Sequence, residues 1–130
     1  MSDVRQTKAD QQTITPYFTV QNADRTIDFL VTAFYAKVVK EDRYDDNRIQ
    51  HARLVIGNSL IMLNQSTSVY PVNQSQMYIR VEDADTCYHS ALTLGAESTM
   101  EPNDRPHGDR MAGVKDPCGN IWWIASRKDG

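Results

Sequence analysis

Three histidines, two cysteines and two adjacent tryptophans carry the widest chemical reach in this sequence. His51 stands two residues before Arg53, so a strand sends both side chains to one face. There the pair could bind an anion, or the imidazole could act as an acid or base; the competing reading is a surface or interface histidine. His89 falls off the apolar stripe of a predicted helix and reads as exposed. His107 belongs to Arg105-Pro106-His107-Gly108-Asp109-Arg110, a polar loop that reads either as a ligand contact or as a segment held by an Asp109–Arg110 ion pair. Cys87 lies on an apolar helix stripe, the usual place of a small buried thiol. The sequence has no G-x-S-x-G, and Gly57, Gly95, Gly108, Gly113 and Gly119 are too scattered for a phosphate-binding loop. Glu41-Asp42 and Asp45-Asp46 sit in or near a turn and read as solvated charges. Trp122 and Trp123 are neighbours, so a strand buries one and presents the other. Trp123 is the candidate stacking platform for a planar or sugar-like ligand, unless it fills a collapsed apolar cup.

The elements that position these residues follow from periodicity. Residues 1–12 are polar and without period, and a disordered arm is expected there. Phe18 and Val20 alternate with Tyr17 and Thr19 as in a half-buried strand. Asn22 can cap a helix whose stripe is Ile27, Leu30, Val31 and Phe34. Extended stretches follow at 37–44, 48–56 and 59–65, separated by turns at Asp45-Asp46-Asn47 and Gly57-Asn58. Then the order repeats. Met77, Ile79 and Val81 alternate, Asp83 can cap a helix with the stripe Ala84, Cys87, Tyr88 and Ala91, and Gly95 can close it. Strand-like material runs on to Arg127, interrupted by a loop expected over Glu101–Gly108 and a turn at Asp116-Pro117-Cys118-Gly119. An offset of about 61 residues lays Val20 on Val81, Asn22 on Asp83, Ile61 on Trp122 and Leu63 on Ile124.

Two β-α-β-β-β units define the fold class: α+β, two modules forming a curved mixed sheet, or cup, with the helices outside. Each unit alone is too small to bury a sufficient core. We expect one domain over 13–127, with modules at about 13–66 and 75–127. Phe18, Val20, Ala52, Leu54, Ile56, Ile61, Leu63, Met77, Ile79, Val81, Trp122 and Ile124 are expected to face the helices. Tyr17, Thr19, His51, Arg53, Leu60, Met62, Asn64, Gln76, Tyr78, Arg80, Ile121 and Trp123 are expected to face the cup. That mixture of polar and aromatic residues suits a surface lining a ligand, and suits a solvated sheet face as well.

Composition narrows the partners. The 130 residues are 40% hydrophobic and 24% charged, with a net charge of −3, so a folded chain is expected. The acidic balance argues against nonspecific binding to nucleic acid or anionic membrane. Neither a membrane span nor a signal-peptide core is apparent, and two cysteines make no disulfide framework. A cytoplasmic protein is expected.

Three stretches carry a family resemblance: Pro16–Ala36, His51–Leu63 and Gly108–Ala125, the last containing D-P-x-G-N-x-W. The chain resembles the glyoxalase/bleomycin-resistance/dioxygenase superfamily, the vicinal oxygen chelate proteins, and within it the demethylubiquinone-methyltransferase-like bacterial branch. The resemblance implies a cup in which catalytic members hold a divalent metal, with ligands from the first and last strand of each module. Those positions are here Thr15, Met62, Gln76 and Trp123, which offer neither carboxylate nor imidazole, so no metal and no cofactor are expected. It also implies a homodimer, and a glycine where this chain has Tyr35 after the first helix. Because a non-glycine residue is costly in the left-handed region, that helix is expected to end differently. Three functions stay open. The first is a metal-free small-molecule binding protein that stacks its ligand on Tyr17, Tyr78 and Trp123 and anchors it through His51, Arg53, Gln76 and Arg80. The second is a glyoxalase-type lyase, isomerase or transferase whose metal site is not recognised or which borrows His51 and His107. The third is an orphan domain with a role in assembly.

Overall fold

The computed structural model describes residues 12–106 and 108–128. Strand β1 (Tyr17–Val20) leads into helix α1 (Ala23–Phe34) and strands β2 (Lys37–Arg43), β3 (Ile49–Ile56) and β4 (Ser59–Gln65). The order then recurs as β5 (Gln76–Arg80), α2 (Ala84–Thr93), β6 (Glu97–Asp104), β7 (Asp109–Lys115) and β8 (Ile121–Arg127). Each module forms its own four-stranded sheet, ordered β1-β4-β3-β2 and β5-β8-β7-β6. The repeat extends to register: β1 runs parallel to β4 with Tyr17 opposite Met62, and β5 parallel to β8 with Tyr78 opposite Trp123. No helix among the described residues is long and apolar enough to cross a membrane.

Both helices start where the sequence placed their caps. The Asn22 side chain accepts from Arg25 N–H at 3.1 Å, and that of Asp83 from Thr86 N–H at 3.1 Å. The α2 stripe of Ala84, Cys87, Tyr88 and Ala91 is buried as expected. Of the expected α1 stripe, Ile27, Leu30 and Phe34 are buried, but Val31 is 40% exposed. Burial extends around the helix to Ala23, Thr26, Phe29 and Ala33, and α1 packs against α2 as well as against its own sheet. The end of α1 also departs from expectation. Tyr35 does adopt the left-handed conformation (φ 62°, ψ 31°), and Ala36 N–H reaches back to Leu30 O at 3.1 Å. The Tyr35 N–H turns back to the same Leu30 carbonyl, and these two bonds with the buried Ala36 close the helix end and offset the strain of a side chain at this position.

The loop expected over Glu101–Gly108 is shorter than predicted, since β6 continues through Pro102 to Asp104. Proline is tolerated because β6 is an outer strand and its pairing with β7 is irregular between Met100 and Asn103. Gln12, assigned to the disordered arm, is tied to the sheet: its amide accepts from Leu60 N–H at 3.1 Å and donates to Leu60 O at 2.9 Å. The rest of that arm and His107 lie outside the described residues.

The helix-facing set is buried or packed against the core as predicted. At its centre Trp122 joins the modules, stacking edgewise on Phe18 (ring centroids 5.8 Å apart) and tilted on Phe34 (5.1 Å). Its indole N–H donates to Asp116 Oδ2 at 2.9 Å, while Asp116 Oδ1 accepts from Cys118 and Asn120 N–H. Asn120 in turn accepts from Ser75 N–H at 2.7 Å. The D-P-x-G-N-x-W stretch is thus a structural device that ties the last turn to the core.

Candidate functional site

The faces turned away from the helices carry two groups of side chains, one on each sheet. On the first, strand pairing sets Tyr17, Met62, Arg53 and Lys40 in a row across β1, β4, β3 and β2. His51 lies opposite Asp42. The Tyr17 hydroxyl meets His51 Nδ1 at 3.1 Å, and Thr19 donates to Asn64 Oδ1 at 2.8 Å. Burial raises the Tyr17 pKa, and burial followed by the nearby Arg53 charge lowers that of His51. Both effects favour a neutral phenol bonded to a neutral imidazole. Of the predicted cup residues here, Leu60 and Asn64 are buried rather than presented, Leu60 with its backbone bonded to Gln12 and Asn64 bonded to Thr19.

On the second sheet Trp123 lies between Tyr78 and Gly113 in the register. Its indole N–H donates to Gln76 Oε1 at 2.8 Å. A Cβ on Gly113 would stand 2.7 Å from Trp123 Cζ3 and 2.9 Å from Cε3, so the ring rests on the bare glycine. Sequence reasoning missed this seat, since an unflagged glycine in a strand gave no signal of its neighbour. Asp109 was missed in another way. Rather than pairing with Arg110, it accepts from Arg80 at 3.1 Å and from the Tyr78 hydroxyl at 3.4 Å. Arg110 turns to Asp85 (2.9 Å) and Asp104 (3.1 Å), pinning α2 to β6, because adjacent strand residues point to opposite faces.

Of the predicted site residues, then, Tyr17 meets His51 beside Arg53, Gln76 meets Trp123, and Tyr78 and Arg80 meet through Asp109. A cavity of about 600 Å³ opens elsewhere, between β5 and the β3–β4 turn. Phe34, Ile61, Met77, Ile79 and Trp122 line it, with Tyr78 and Arg80 at its wall, but neither His51 nor Trp123 does.

The four positions that the resemblance implies as metal ligands do not suit one here. Thr15 and Met62 are poor ligands for hard divalent ions, and the indole of Trp123 has no usable lone pair. The amide oxygen of Gln76 is already occupied by that indole. Among the described residues no group of three His, Cys, Asp or Glu side chains is arranged to hold a metal ion.

Comparison with known proteins places this geometry. An uncharacterised protein of Mycobacterium bovis is 30% identical over 120 residues, covering 84% of this chain and 79% of that protein. TioX from Micromonospora sp. ML1 superposes with a TM-score of 0.74 at 23% identity, over 89% of this chain and 98% of that one. A putative 3-demethylubiquinone-9 3-methyltransferase, the PhnB protein of Bacillus cereus, gives 0.72 at 19% identity, over 88% and 99%. Both structures share the fold. The sequence profile of one family matches residues 12–124, nearly the whole described chain. The chain belongs to the Glyoxalase/Bleomycin resistance protein/Dioxygenase superfamily.

Proposed function

We propose that the chain is a small-molecule binding protein that holds a planar or polyoxygenated, antibiotic-like ligand against the concave faces of its sheets without a metal ion. The observation that carries this reading is the Gln76–Trp123 pair, at two of the four positions that the resemblance implies for a metal. There the amide oxygen fixes the edge of an indole whose underside rests on Gly113. A ring held on two sides is prepared for stacking, which contributes about 1 kcal/mol beyond the area it buries. Tyr17 and Tyr78, 45% and 54% exposed, add aromatic surface, and His51, Arg53 and Arg80 add polar anchors. One observation favours a second reading, a lyase, isomerase or transferase: the Tyr17 hydroxyl and His51 imidazole form an acid–base pair at 3.1 Å.

We further infer a cytoplasmic homodimer. Both described cysteines are free thiols, and the outer strand β2 leaves Val38 and Val39 39% and 44% exposed, an edge open to pairing. Light scattering that gives a monomer mass at micromolar concentration would refute the dimer.

Thermal-shift screening of planar aromatic and polyhydroxylated compounds, on protein dialysed against a chelator, tests the main reading. Compounds that stabilise the protein, and lose that effect in Trp123→Ala while the unliganded midpoint holds, support it. Hits unaffected by Trp123→Ala, or no hits without added metal, refute it.

A further inference from the structure

The two modules differ at one edge. In the first, Met62 N–H donates to Pro16 O and Ser66 N–H to Val20 O, so β1 turns these residues to β4 and points the backbone of Tyr17 and Thr19 the other way. Asn73 fills that outer side like a short added strand. Its N–H donates to Thr19 O at 3.1 Å, its side-chain oxygen accepts from Thr19 N–H at 3.0 Å, and its side-chain nitrogen donates to Tyr17 O at 3.4 Å. Strand β5 repeats the geometry of β1. Val81 N–H donates to Ala125 O and Ser75 O accepts from Ile121 N–H, so the backbone of Tyr78 and Arg80 points away from β8. The offset of about 61 residues lays Tyr17 on Tyr78 and Thr19 on Arg80. Among the described residues, no strand and no side chain bonds to the backbone on that side of β5.

Beside this bare edge lies a groove. The cavity of about 600 Å³ is lined by β5 from Met77 onward to Glu82 and by the β3–β4 turn at Gly57, Asn58 and Ser59. We propose that the edge receives an extended segment of a partner polypeptide, which joins the second sheet beside β5, bonds to the backbone of Tyr78 and Arg80, and sets alternate apolar side chains into the cavity. Polypeptide is the occupant because the molecule fills the equivalent edge of its first module with polypeptide, a backbone N–H and an asparagine amide. A strand also meets both demands of the groove. Its backbone pairs with the edge, and every second side chain falls on the face of Met77 and Ile79, where Phe34, Ile61 and Trp122 complete an apolar lining. Glu82, exposed just past the end of β5, is the one carboxylate among the described residues lining the cavity, so a basic residue suits that end. This groove opens on the helix side of the sheet and is separate from the concave surface proposed to hold the small molecule.

The test titrates isotope-labelled protein with the peptide acetyl-Lys-Val-Thr-Val-Lys-amide and with two N-methylated forms of it. One form is methylated at both valine nitrogens, the other at the threonine nitrogen and that of the last lysine. Amide resonances read affinity and hydrogen exchange together. The expected result is saturable binding that shifts the Tyr78 and Arg80 amides and slows their exchange. One methylated form should bind at least about tenfold more weakly and the other as well as the parent peptide, since a strand turns alternate amides to its neighbour. Tyr78→Pro is compatible with an outer strand whose N–H faces outward; it should weaken the peptide by a similar factor, while Tyr78→Phe should not. The methylated pair reads the edge even where Tyr78→Pro does not fold. Methylated forms of equal affinity overturn strand addition, because side chains alone then decide binding. Failure to bind up to millimolar concentration, or binding that leaves exchange at Tyr78 and Arg80 unchanged, overturns it as well. If the peptide fails and Tyr78→Pro converts a dimer to a monomer in light scattering, the edge belongs to a second copy of this chain and the proposed partner is wrong.

Discussion

Gly113→Ala puts the seat of Trp123 to a quantitative test. The added methyl would lie 2.7 Å and 2.9 Å from two ring carbons of Trp123 and 2.5 Å from Thr99 Oγ1. Thr99 is exposed and relieves its contact by a single rotation. The indole cannot do so, because it is rigid and tied to Gln76 at 2.8 Å. Ordinary contact begins at 3.4 Å, so the ring must move outward by about 0.7 Å. Overpacking of this kind costs about 1–3 kcal/mol, and a weakened indole hydrogen bond adds about 0.5–1.5 kcal/mol. Gly113 does not sit in the left-handed region, so alanine is compatible with its backbone and recovers about 0.4–1 kcal/mol by restricting the unfolded chain. A net loss of about 0.5–4 kcal/mol is expected in urea unfolding followed by far-ultraviolet circular dichroism, together with a changed near-ultraviolet tryptophan band. In the double variant with Trp123→Leu, which removes the flat ring, most of the loss should disappear, a coupling of at least about 1 kcal/mol. A Gly113→Ala protein as stable as the parent, or a loss that Trp123→Leu leaves unchanged, would refute the seat.

Three further outcomes rest on the same geometry. Trp122→Ala should cost about 3–5 kcal/mol in the same unfolding assay, since it empties the contact with Phe18 and Phe34 and removes the donor to Asp116. Arg110 holds the Asp85 carboxyl below its ordinary pKa, so the charged form stabilises the fold above the unfolded value and that contribution is lost as pH falls through the lower folded one. Asp85→Asn should therefore flatten the decline of the urea midpoint below about pH 4, and an unchanged decline counts against the pair. Burial pushes the Cys87 thiol up to about 11, so iodoacetamide at mildly alkaline pH should label native protein at Cys118 and leave Cys87 unmodified, as peptide mass mapping will read.

Much of the fold was legible because it is periodic. Asn22 and Asp83 were recognisable as caps from the amphipathic segments after them, and the alternation around Trp122 and Trp123 sent the first to the core and the second to the concave face. Where non-local packing decides, the reading failed. Val31 fits an apolar stripe by spacing, but the presence of α2 beside α1 turns burial toward Phe29 and Ala33. Tyr35 was judged by its own strain, whereas the backward bond from Ala36 stabilises it. Pro102 looked like a break because the irregular pairing of an outer strand leaves no mark in local composition. The site shows the same division. The residue types at Thr15, Met62, Gln76 and Trp123 could be read directly, but the bond joining Gln76 to Trp123 and the glycine beneath the ring needed the register of three strands. Asp109 drew attention only through its neighbour Arg110, although its partners come from β5.

Under the proposed function, this member of the superfamily binds its ligand on an aromatic and polar surface rather than through a metal ion. Its most direct test is calorimetric titration of one screening hit into chelator-treated protein, and into the same protein supplied with saturating Zn²⁺, Ni²⁺ or Mn²⁺. One dissociation constant is expected under all these conditions, and its loss in Trp123→Ala. Tightening by about tenfold or more on adding a metal, about 1.4 kcal/mol of metal-dependent affinity, would contradict it.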